Sequence, residues 1–423
     1  MRKMAANFIL CGILWLLSSG GSSAQEISVP DTVRSAAPRV FVDCSQCGED
    51  YIRTEITFVN FVRDRREADI HIFVTTQGTG GGGDEFTVEF IGQGRFSEMH
   101  DTLKYVSVES DSEDMVRQGL IRVIRMGLLR YAAKTPVADY LSVVYTPPSK
   151  PAPVIDKWNC WVFKIALSSG INGQESFHSY NFNGSISASR VTEQSRIRLS
   201  ANGNYYEQRY KIVDDEGEKT IVGISRSKGI SGSFIKSKGR HWSLGFSNSI
   251  SAYTYGNVDC EFYMAPAIEY NLFPYDQSTN RQLRFVYHVG LLYYDYMEET
   301  IYSKTSEWLN SEMLEITLEL KRPWGSVELS MTGYNYLHDF KKNNLQLYGE
   351  MSFRLFEGFS FNVSGWASRV RDQLSLRKRQ ASVDEVLLQQ QELETGYKFW
   401  ANLGISYSFG SIYNNIVNPR FGY

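Results

Sequence analysis

The chain has 423 residues and a formal net charge of −3, with acidic and basic side chains interspersed. It has no basic block, zinc-finger spacing or base-stacking motif, which excludes the usual nucleic-acid-binding classes. Its length allows two or three domains, and its 26 Tyr, 24 Phe and 8 Trp make it rich in aromatic residues. Aromatic residues are typical of the interfacial girdles of membrane barrels, although an aromatic-rich soluble β-sandwich is an alternative.

The first 24 residues predict a secretory signal peptide. Basic residues precede a short apolar core from Phe8 to Leu17, and Ser22-Ser23-Ala24 is a small-residue cleavage site. The apolar core is too short to cross a membrane as a stable helix. Residues 25–38 then form a predicted flexible leader.

Residues 39–147 predict a compact α+β domain with the element order β-α-β-β-β-α-β. Asp69 to Thr76 is a strand buried on both faces, and Tyr140 to Tyr145 is a predicted last strand. Ser112 caps a long helix, whose polar face carries basic side chains: Arg117, Arg122, Arg125 and Arg130. The order predicts a sheet with two helices packed on one face.

Cys44 and Cys47 form a C-x-x-C pair where the first strand gives way to a helix. A local disulfide, a redox-active pair and a metal site are all compatible with this spacing. An oxidising compartment favours the disulfide. The glycine run Gly80 to Gly83 lacks the Lys-Ser/Thr of a nucleotide-binding loop and predicts a mobile hairpin. No motif predicts a cofactor or a metal.

Residues 148–157 form a proline-rich linker that stiffens the connection to the second half of the chain. Residues 158–409 contain about a dozen segments that alternate apolar with polar side chains, and residues 410–423 form a tail. A lipid environment cannot satisfy a free strand edge, so this pattern predicts an antiparallel transmembrane barrel of about 12 strands. The segment 219–236 fits least well, because Arg226 and Lys228 fall on its lipid-facing side.

Two kinds of connection alternate between the predicted strands. Tight turns lie near Thr192-Glu193, Pro323 and Glu357, among others. Longer polar loops are predicted at residues 211–218, 296–309, 338–343 and 370–394, the last with helical tendency at 382–396. Short turns of bacterial barrels face the periplasm, so the α+β domain is predicted to be periplasmic.

The polar face of the predicted strands carries charges of both signs, which predicts a salt-bridged and largely filled lumen or a small solute channel. The predicted lumen charges are Lys164, Arg196, Arg198, Glu261, Glu269, Arg284, Glu315, Glu319, Lys321, Glu328, Glu350, Arg354 and Lys398. A selective pore would instead carry rings of one sign.

A lipid hydrolase is a further alternative, because such enzymes hold Ser and His together at the rim of a barrel. The candidates are His338 with Asp339, and Ser330 and Thr332 further down the same strand; His288 faces the lumen. With 6 His in the chain, chance placement explains them as well.

The barrel half resembles the salt-induced outer-membrane proteins through RQLRFVYHVGLLYYDY (Arg281 to Tyr296) and the strand that follows KRPWGS (Lys321 to Ser326). Asn402 to Phe409 resembles the signal read by the barrel assembly machinery, although fourteen residues follow it. The α+β half is similar to the N-terminal modules of TolB-type envelope proteins in element order. These resemblances imply an outer-membrane location and provide no catalytic residues.

The sequence therefore predicts a non-enzymatic outer-membrane envelope protein. Its partners would be membrane lipid, the assembly machinery during biogenesis, and a periplasmic protein docked by the α+β domain. A small-solute channel and a lipid hydrolase are the alternative functions.

Overall fold

The structure, a computed structural model, describes residues 31–44, 47–145, 156–214, 217–388 and 390–411. The predicted signal peptide, the start of the leader, most of the proline-rich linker and nearly all of the tail lie outside these residues. Within them, no helix is long and apolar enough to span a membrane.

The N-terminal domain is a five-stranded sheet with helices, which confirms the predicted α+β class. The predicted element order is wrong, because the fifth strand lies at residues 60–61 and not after the long helix, and a helix occupies residues 31–36 of the predicted flexible leader. Its strands are β1 (Arg39–Asp43), β2 (Asn60–Phe61), β3 (Ile70–Gly78), β4 (Asp84–Gly92) and β5 (His100–Val106). Its helices are α1 (Asp31–Ala36), α2 (Glu49–Glu55) and α3 (Glu113–Ala132). The strand order is β2-β1-β3-β4-β5, with β1 parallel to β2 and β3 and the other pairs antiparallel.

Helix α3 packs across β4 and β5 and completes the core of the domain. Ser112 caps it by accepting a hydrogen bond from the Met115 amide. The fully buried Tyr131 donates its hydroxyl to carbonyl oxygens on both sides of the β4–β5 connection, at 3.1 and 3.0 Å. Gly127 permits this approach, because a Cβ there would lie 2.1 Å from the ring of Phe90.

The predicted last strand of the domain, Tyr140 to Tyr145, is wrong. A short 3-10 helix occupies Pro136–Tyr140, and the chain continues to residue 145 without a strand partner. Val143 and Val144 are 76% and 83% exposed. Alternating apolar residues alone do not make a strand when no sheet edge accepts their hydrogen bonds.

The second half of the chain is a single twelve-stranded antiparallel sheet, which confirms the predicted number. Its first six strands are β6 (Trp161–Gln174), β7 (Phe177–Val191), β8 (Ser195–Asp214), β9 (Gly217–Lys238), β10 (Trp242–Tyr253) and β11 (Val258–Asn271). The remaining strands are β12 (Arg281–Tyr296), β13 (Ser306–Arg322), β14 (Gly325–Tyr336), β15 (Asp339–Phe356), β16 (Phe359–Val370) and β17 (Tyr397–Tyr407). Each strand pairs with its neighbours in the chain, so the sheet is a continuous meander.

The sheet curls so that its polar face is concave and lines a lumen. The segment between β16 and β17, residues 371–396, contacts β9, the β10–β11 turn and the β12–β13 loop. One loop can reach strands so far apart in the sheet only if the wall curves. Among the described residues no ladder joins β6 to β17, and side chains on both strands are largely exposed, Leu167 by 84% and Leu403 by 71%.

Two of the predicted long loops are wrong. Strand β8 runs to Asp214 and β9 begins at Gly217, so the described part of 211–218 is strand, and β15 begins at Asp339, so strand replaces most of 338–343. These polar segments extend each hairpin as a paired ladder, where the backbone groups are satisfied by the partner strand. The loops at residues 297–305 and 371–396 are long, and the second contains α4 (Val383–Leu387), which begins with a capping box of Ser382 and Glu385.

Candidate functional site: a lumen closed at both ends

The strand register places all of the predicted lumen charges on one face of the sheet. Lys164 pairs across the ladder with Ser187, and the same row continues through Ser200, Ser231 and Ser249. Cross-strand partners share a face. The row Glu315, Thr332, Gln346, Ser368 and Lys398 runs along that face on the other side of the sheet.

One side of the lumen, β11 to β15, is the charged wall. The Arg284 Nη2 lies 3.1 Å from the Glu315 Oε1, and Thr317 donates its hydroxyl to the same carboxylate. The register also sets three carboxylates side by side, because Glu319 pairs with Glu328 and Glu328 with Glu350. Neighbouring like charges destabilise a sheet, so this row is not explained by stability of the wall.

The opposite side, β7 to β10, is the small-residue wall. Its inward side chains are mostly Ser, Asn and Gly, and they include Ser185, Ser187, Ser189, Ser200, Asn202, Asn204, Ser225, Ser227, Gly229, Ser231, Ser233, Ser243, Gly245, Ser247, Ser249 and Ser251. Ser200 and Ser231 share a hydrogen bond of 2.7 Å. Arg196 and Arg198 lie on this wall near the tight turns, and within the described residues neither forms an ion pair. The side chains of this wall are therefore small and offer hydrogen-bonding groups, whereas those of the charged wall are large.

An aromatic cluster fills the charged-wall side of the lumen near the long loops. Leu292, Leu309 and Tyr336 are buried together, and Tyr263, Tyr294 and Tyr334 pack against them. Leu374 from the 371–396 segment completes the cluster and is 7% exposed. The cluster anchors that segment inside the mouth of the barrel.

The 371–396 segment, called here the β16–β17 loop, covers the lumen at this end. Asn257 donates to the Ser375 carbonyl at 3.0 Å, and Arg377 donates to the Thr254 carbonyl at 2.8 Å. Arg379 bridges Glu298 and Glu385. Lys398 on the wall reaches Glu392 of the loop at 3.2 Å. The loop is therefore tied to several strands around the rim.

The N-terminal domain covers the other end, where the turns are tight. Arg354 of β15 forms a two-pronged ion pair with Asp43 at the end of β1, with Nη2 2.6 Å from Oδ1. On its far side Asp43 lies 3.3 Å from Nε2 of His71, which is 1% exposed. We call His71, Asp43 and Arg354 the latch. It joins the core of the domain to an inward side chain of the barrel.

Further contacts hold the domain to both walls. Lys164 on β6 lies 2.5 Å from Glu109, and Asn280 before β12 donates to Glu89 at 2.9 Å. The Gly358 amide in the β15–β16 turn donates to Asp64 at 2.7 Å. Because these contacts come from strands at both sides of the sheet, the domain spans the opening.

The glycine run predicted as a mobile hairpin contacts the barrel wall. Ser189 of β7 donates to the Gly80 carbonyl at 3.5 Å. A Cβ on Gly80 would lie 2.2 Å from the Cβ of Val191. The run therefore lets the β3–β4 hairpin approach strand β7 closely, and no anion site needs to be invoked for it.

The latch is electrostatically favourable in its docked state. Burial tends to raise the pKa of the Asp43 carboxyl, but hydrogen bonds from His71 and Arg354 outweigh burial and hold that pKa below its usual value of 3.8. Asp43 is therefore a carboxylate at neutral pH. Separating the domain from Arg354 would remove the guanidinium that forms the two-point ion pair with this buried charge.

Cys44 and Cys47 are joined by a disulfide directly after Asp43. The bridge lies beside a cavity of about 310 Å³ between the domain and the barrel, lined by Glu49, Arg53 and Arg63 as well as the latch residues Asp43 and Arg354. The disulfide constrains the backbone that presents Asp43. Cys160 and Cys260 are free thiols; Cys160 directly precedes β6 and Cys260 lies near the start of β11, at the opposite end of the sheet.

The hydrolase candidates do not come together. Ser330 lies 3.5 Å from the hydroxyl of Thr317, and the His338 ring packs at a tilted angle against Tyr336, with the ring centres 5.8 Å apart. A strand rises about 3.3 Å per residue, so Ser330 and His338 are separated by roughly 26 Å along the β14 hairpin. His288 lies on the inward face, apart from both. This geometry provides no nucleophile–base pair.

The residues that close the lumen were not visible as a site in the sequence. Asp43 and His71 look like ordinary strand residues, and Leu374 looks like part of a polar loop. The alternation of serine in β9 and β10 was readable as a pattern. It shows one polar face of small side chains, but not what lies opposite.

No protein-family profile matches the sequence, and no curated protein matches it. Among solved structures, the chain is similar to the CymD monoaromatic hydrocarbon channel, with 8% identity and a TM-score of 0.22 over 49% of this chain and 74% of that one. It is also similar to the translocator domain of the autotransporter NalP from Neisseria meningitidis, with 9% identity and a TM-score of 0.21 over 57% of this chain and 85% of that one. At these TM-scores the likeness carries no argument about fold or function.

Proposed function

We propose that this protein is an outer-membrane barrel that conducts small polar solutes and is gated by its own N-terminal domain. The observation that carries the proposal is the latch, in which Arg354 of the barrel wall holds Asp43 of the domain over the opening. The open fraction of the pore would then depend on how firmly the domain is held at one end and the β16–β17 loop at the other.

The outward face of the sheet supports a membrane location. Two of its cross-strand rows are largely apolar: Ile165, Ile186, Ala201, Ile230, Ile250 and Phe262 form one, and Phe163, Ala188, Leu199, Gly232, Asn248 and Met264 form the other. Many of these side chains are exposed, Ile165 by 72% and Ile230 by 65%. A continuous exposed apolar band is typical of a surface that contacts lipid.

Closure of the wall follows from the same environment. Strands β6 and β17 run in opposite directions, because an even number of strands separates the two ends of a meander. In lipid their free backbone groups would each cost several kcal/mol, so we propose that they pair with each other in the membrane. The domain already contacts strands on both sides of this seam, through Lys164 and Gly358.

The small-residue wall supports a solute pathway. Its hydroxyl and amide groups replace water for a polar solute without fixing an ion strongly. Bulky and charged side chains are concentrated on the opposite wall. Short turns face the periplasm in bacterial barrels, so the proposal places the domain there.

The test is conductance of the full-length protein in planar bilayers, compared with Arg354→Gln. Loss of a charge-assisted pair that is partly exposed costs about 2 kcal/mol, which corresponds to a roughly 30-fold increase in the open fraction. Arg322→Gln is the matched control, since this arginine faces outward near the same turns and no contact with the domain was found for it among the described residues.

Two results would count against the proposal. A protein whose gel mobility is identical before and after boiling would not be a closed barrel. A closed barrel that shows no discrete conductance in either the native form or Arg354→Gln would not be a channel.

The earlier prediction that the domain docks a separate periplasmic protein has weaker support. Its basis was the stiff linker together with the basic face of α3. In the structure, Arg117, Arg125 and Arg130 of that face form ion pairs with Asp114, Glu55 and Asp101 within the domain. Much of that charge is therefore compensated. The docked surface that the contacts do define is the one that meets the barrel.

A further inference from the structure

Two cations interrupt the apolar outward face of the barrel. The register puts Arg226 and Lys228 of β9 on the same face as Ile230 and Phe234. Side chains at alternate positions of one strand point the same way. Within the described residues, neither Arg226 nor Lys228 forms an ion pair with a carboxylate; Glu207 on the same face attracts Arg226 at longer range but is itself paired with Arg209. Their charges therefore face the surroundings of the barrel.

Their height along the strand is that of a membrane boundary. Lys236 and Lys238 end β9 at the tight-turn side, and the outward residues in between are Gly232, Phe234 and Ile230. The stretch from Lys228 to Lys236 covers about 26 Å along the strand, and strand tilt reduces this to roughly 20 Å of membrane thickness. Lys228 thus lies at the far edge of the apolar band, opposite to the domain.

The cations stand over a trough. A cavity of about 890 Å³ is lined by Leu167, Phe182, Tyr205, Arg226 and Lys228, with one carboxylate, Asp259, at its border. The Arg226 guanidinium lies 5.5 Å from the centre of the Tyr205 ring. The trough is deep at Gly203 because no side chain projects from the strand there, and a Cβ on this residue would meet nothing within 4 Å.

The trough continues into an apolar groove. A second cavity of about 760 Å³ shares Leu167 and Lys228 with the first and is lined further by Ile165, Ile186 and Ile230. Its walls belong to the apolar row below the cations. Together the two cavities form one site with cationic side chains at one end and apolar side chains at the other.

We propose that this trough binds one anionic lipid, with its phosphate between Arg226 and Lys228 and an acyl chain along Ile186 and Ile230. The inference rests on the membrane location proposed above. Two cations at alternate positions bracket a phosphate, and anionic headgroups are the charges available at a bilayer surface. The apolar end of the site fits an acyl chain, which a lipid has and inorganic phosphate lacks.

The test uses the full-length protein in detergent, with retention of phosphatidylglycerol against phosphatidylcholine measured by native mass spectrometry. We expect the native protein to retain phosphatidylglycerol selectively. In Arg226→Gln/Lys228→Gln that selectivity should fall by up to about fivefold for each cation removed. Lys236→Gln/Lys238→Gln removes equal charge from the same face at the other boundary and should keep the selectivity.

Three outcomes would overturn the site. Unchanged selectivity in the Arg226/Lys228 variant, or an equal loss in the control, would show that the cations act only as general surface charge. Complete displacement of the lipid by excess inorganic phosphate would reveal an anion site without lipid specificity. A protein that stays soluble without detergent would overturn the membrane location as well, whereas the first outcomes leave that location intact.

Discussion

The two walls of the lumen differ in the size and charge of their inward side chains. The small-residue wall, β7 to β10, presents hydroxyl, amide and glycine positions, with Ser200 and Ser231 in direct contact. The charged wall, β11 to β15, presents ion pairs, a row of carboxylates and a buried aromatic cluster. Both walls satisfy the same alternation of apolar outside and polar inside.

In the proposed channel, the difference separates the wall that anchors the closures from the wall along which solute passes. Arg354, the turn before β14 and the Gly358 amide hold the domain on the charged-wall side, and Leu292, Leu309 and Tyr336 on that side hold the β16–β17 loop. Fewer and weaker contacts reach the small-residue wall. In the proposed channel, a closure held mainly on one wall would open first beside the opposite wall.

The largest expected effect comes from filling the small-residue wall. Ser231→Trp, made in the Arg354→Gln background, puts a large rigid ring into the proposed path, so we expect the conductance of the unlatched protein to fall nearly to the native level. Single-channel recording measures it. Ser231→Ala is the control and should conduct normally. If Ser231→Trp conducts like its parent, the path does not follow this wall.

The next effect tests the anchor of the β16–β17 loop on the charged wall. Leu374→Ala removes most of a side chain that is 7% exposed, which should weaken loop docking by about 2–3 kcal/mol. We expect faster proteolysis within residues 371–396, followed by gel analysis. Leu393→Ala, on the same loop but 48% exposed, should leave the cleavage rate unchanged. Equal rates in the two variants would mean that the aromatic cluster does not hold the loop.

The smallest effect is a pH dependence of domain docking. The Asp43 pKa is lowered in the docked state, so its contribution is complete above 3.8 and is lost as the pH falls through the lowered pKa. Burial and the neighbouring Glu357 raise the pKa of Glu67 from 4.5, so its contribution is complete below 4.5 and is lost as the pH rises through the raised pKa. Conductance should therefore be lowest between pH 3.8 and pH 4.5, where both contributions are complete.

Glu67→Gln isolates the second of these contributions. It removes a like-charge contact that is worth less than about 0.5 kcal/mol, so the open fraction at pH 7 should drop by no more than about twofold. The rise in conductance below pH 3.8, which depends on Asp43, should persist in this variant. A rise in conductance at pH 7 in Glu67→Gln would contradict the assigned sign.

The comparison of the walls also shows how far the sequence could be interpreted. Strand alternation predicted the twelve strands and the inward facing of Arg284, Glu315 and Arg354, because period two is a local property. The outward facing of Arg226 and Lys228 followed from the same alternation. The strand at Tyr140 to Tyr145 failed because a strand needs a partner edge, which local sequence does not specify.

The amino-acid sequence by itself determined a two-part protein: an α+β domain followed by a twelve-stranded sheet with one apolar and one polar face. Only the tertiary structure decided that Arg354 meets Asp43, that Leu374 enters an aromatic cluster, and that the domain covers the barrel opening. These contacts join residues far apart in the chain. Side-chain periodicity fixes which way each residue points, whereas the curl of the sheet fixes what it meets.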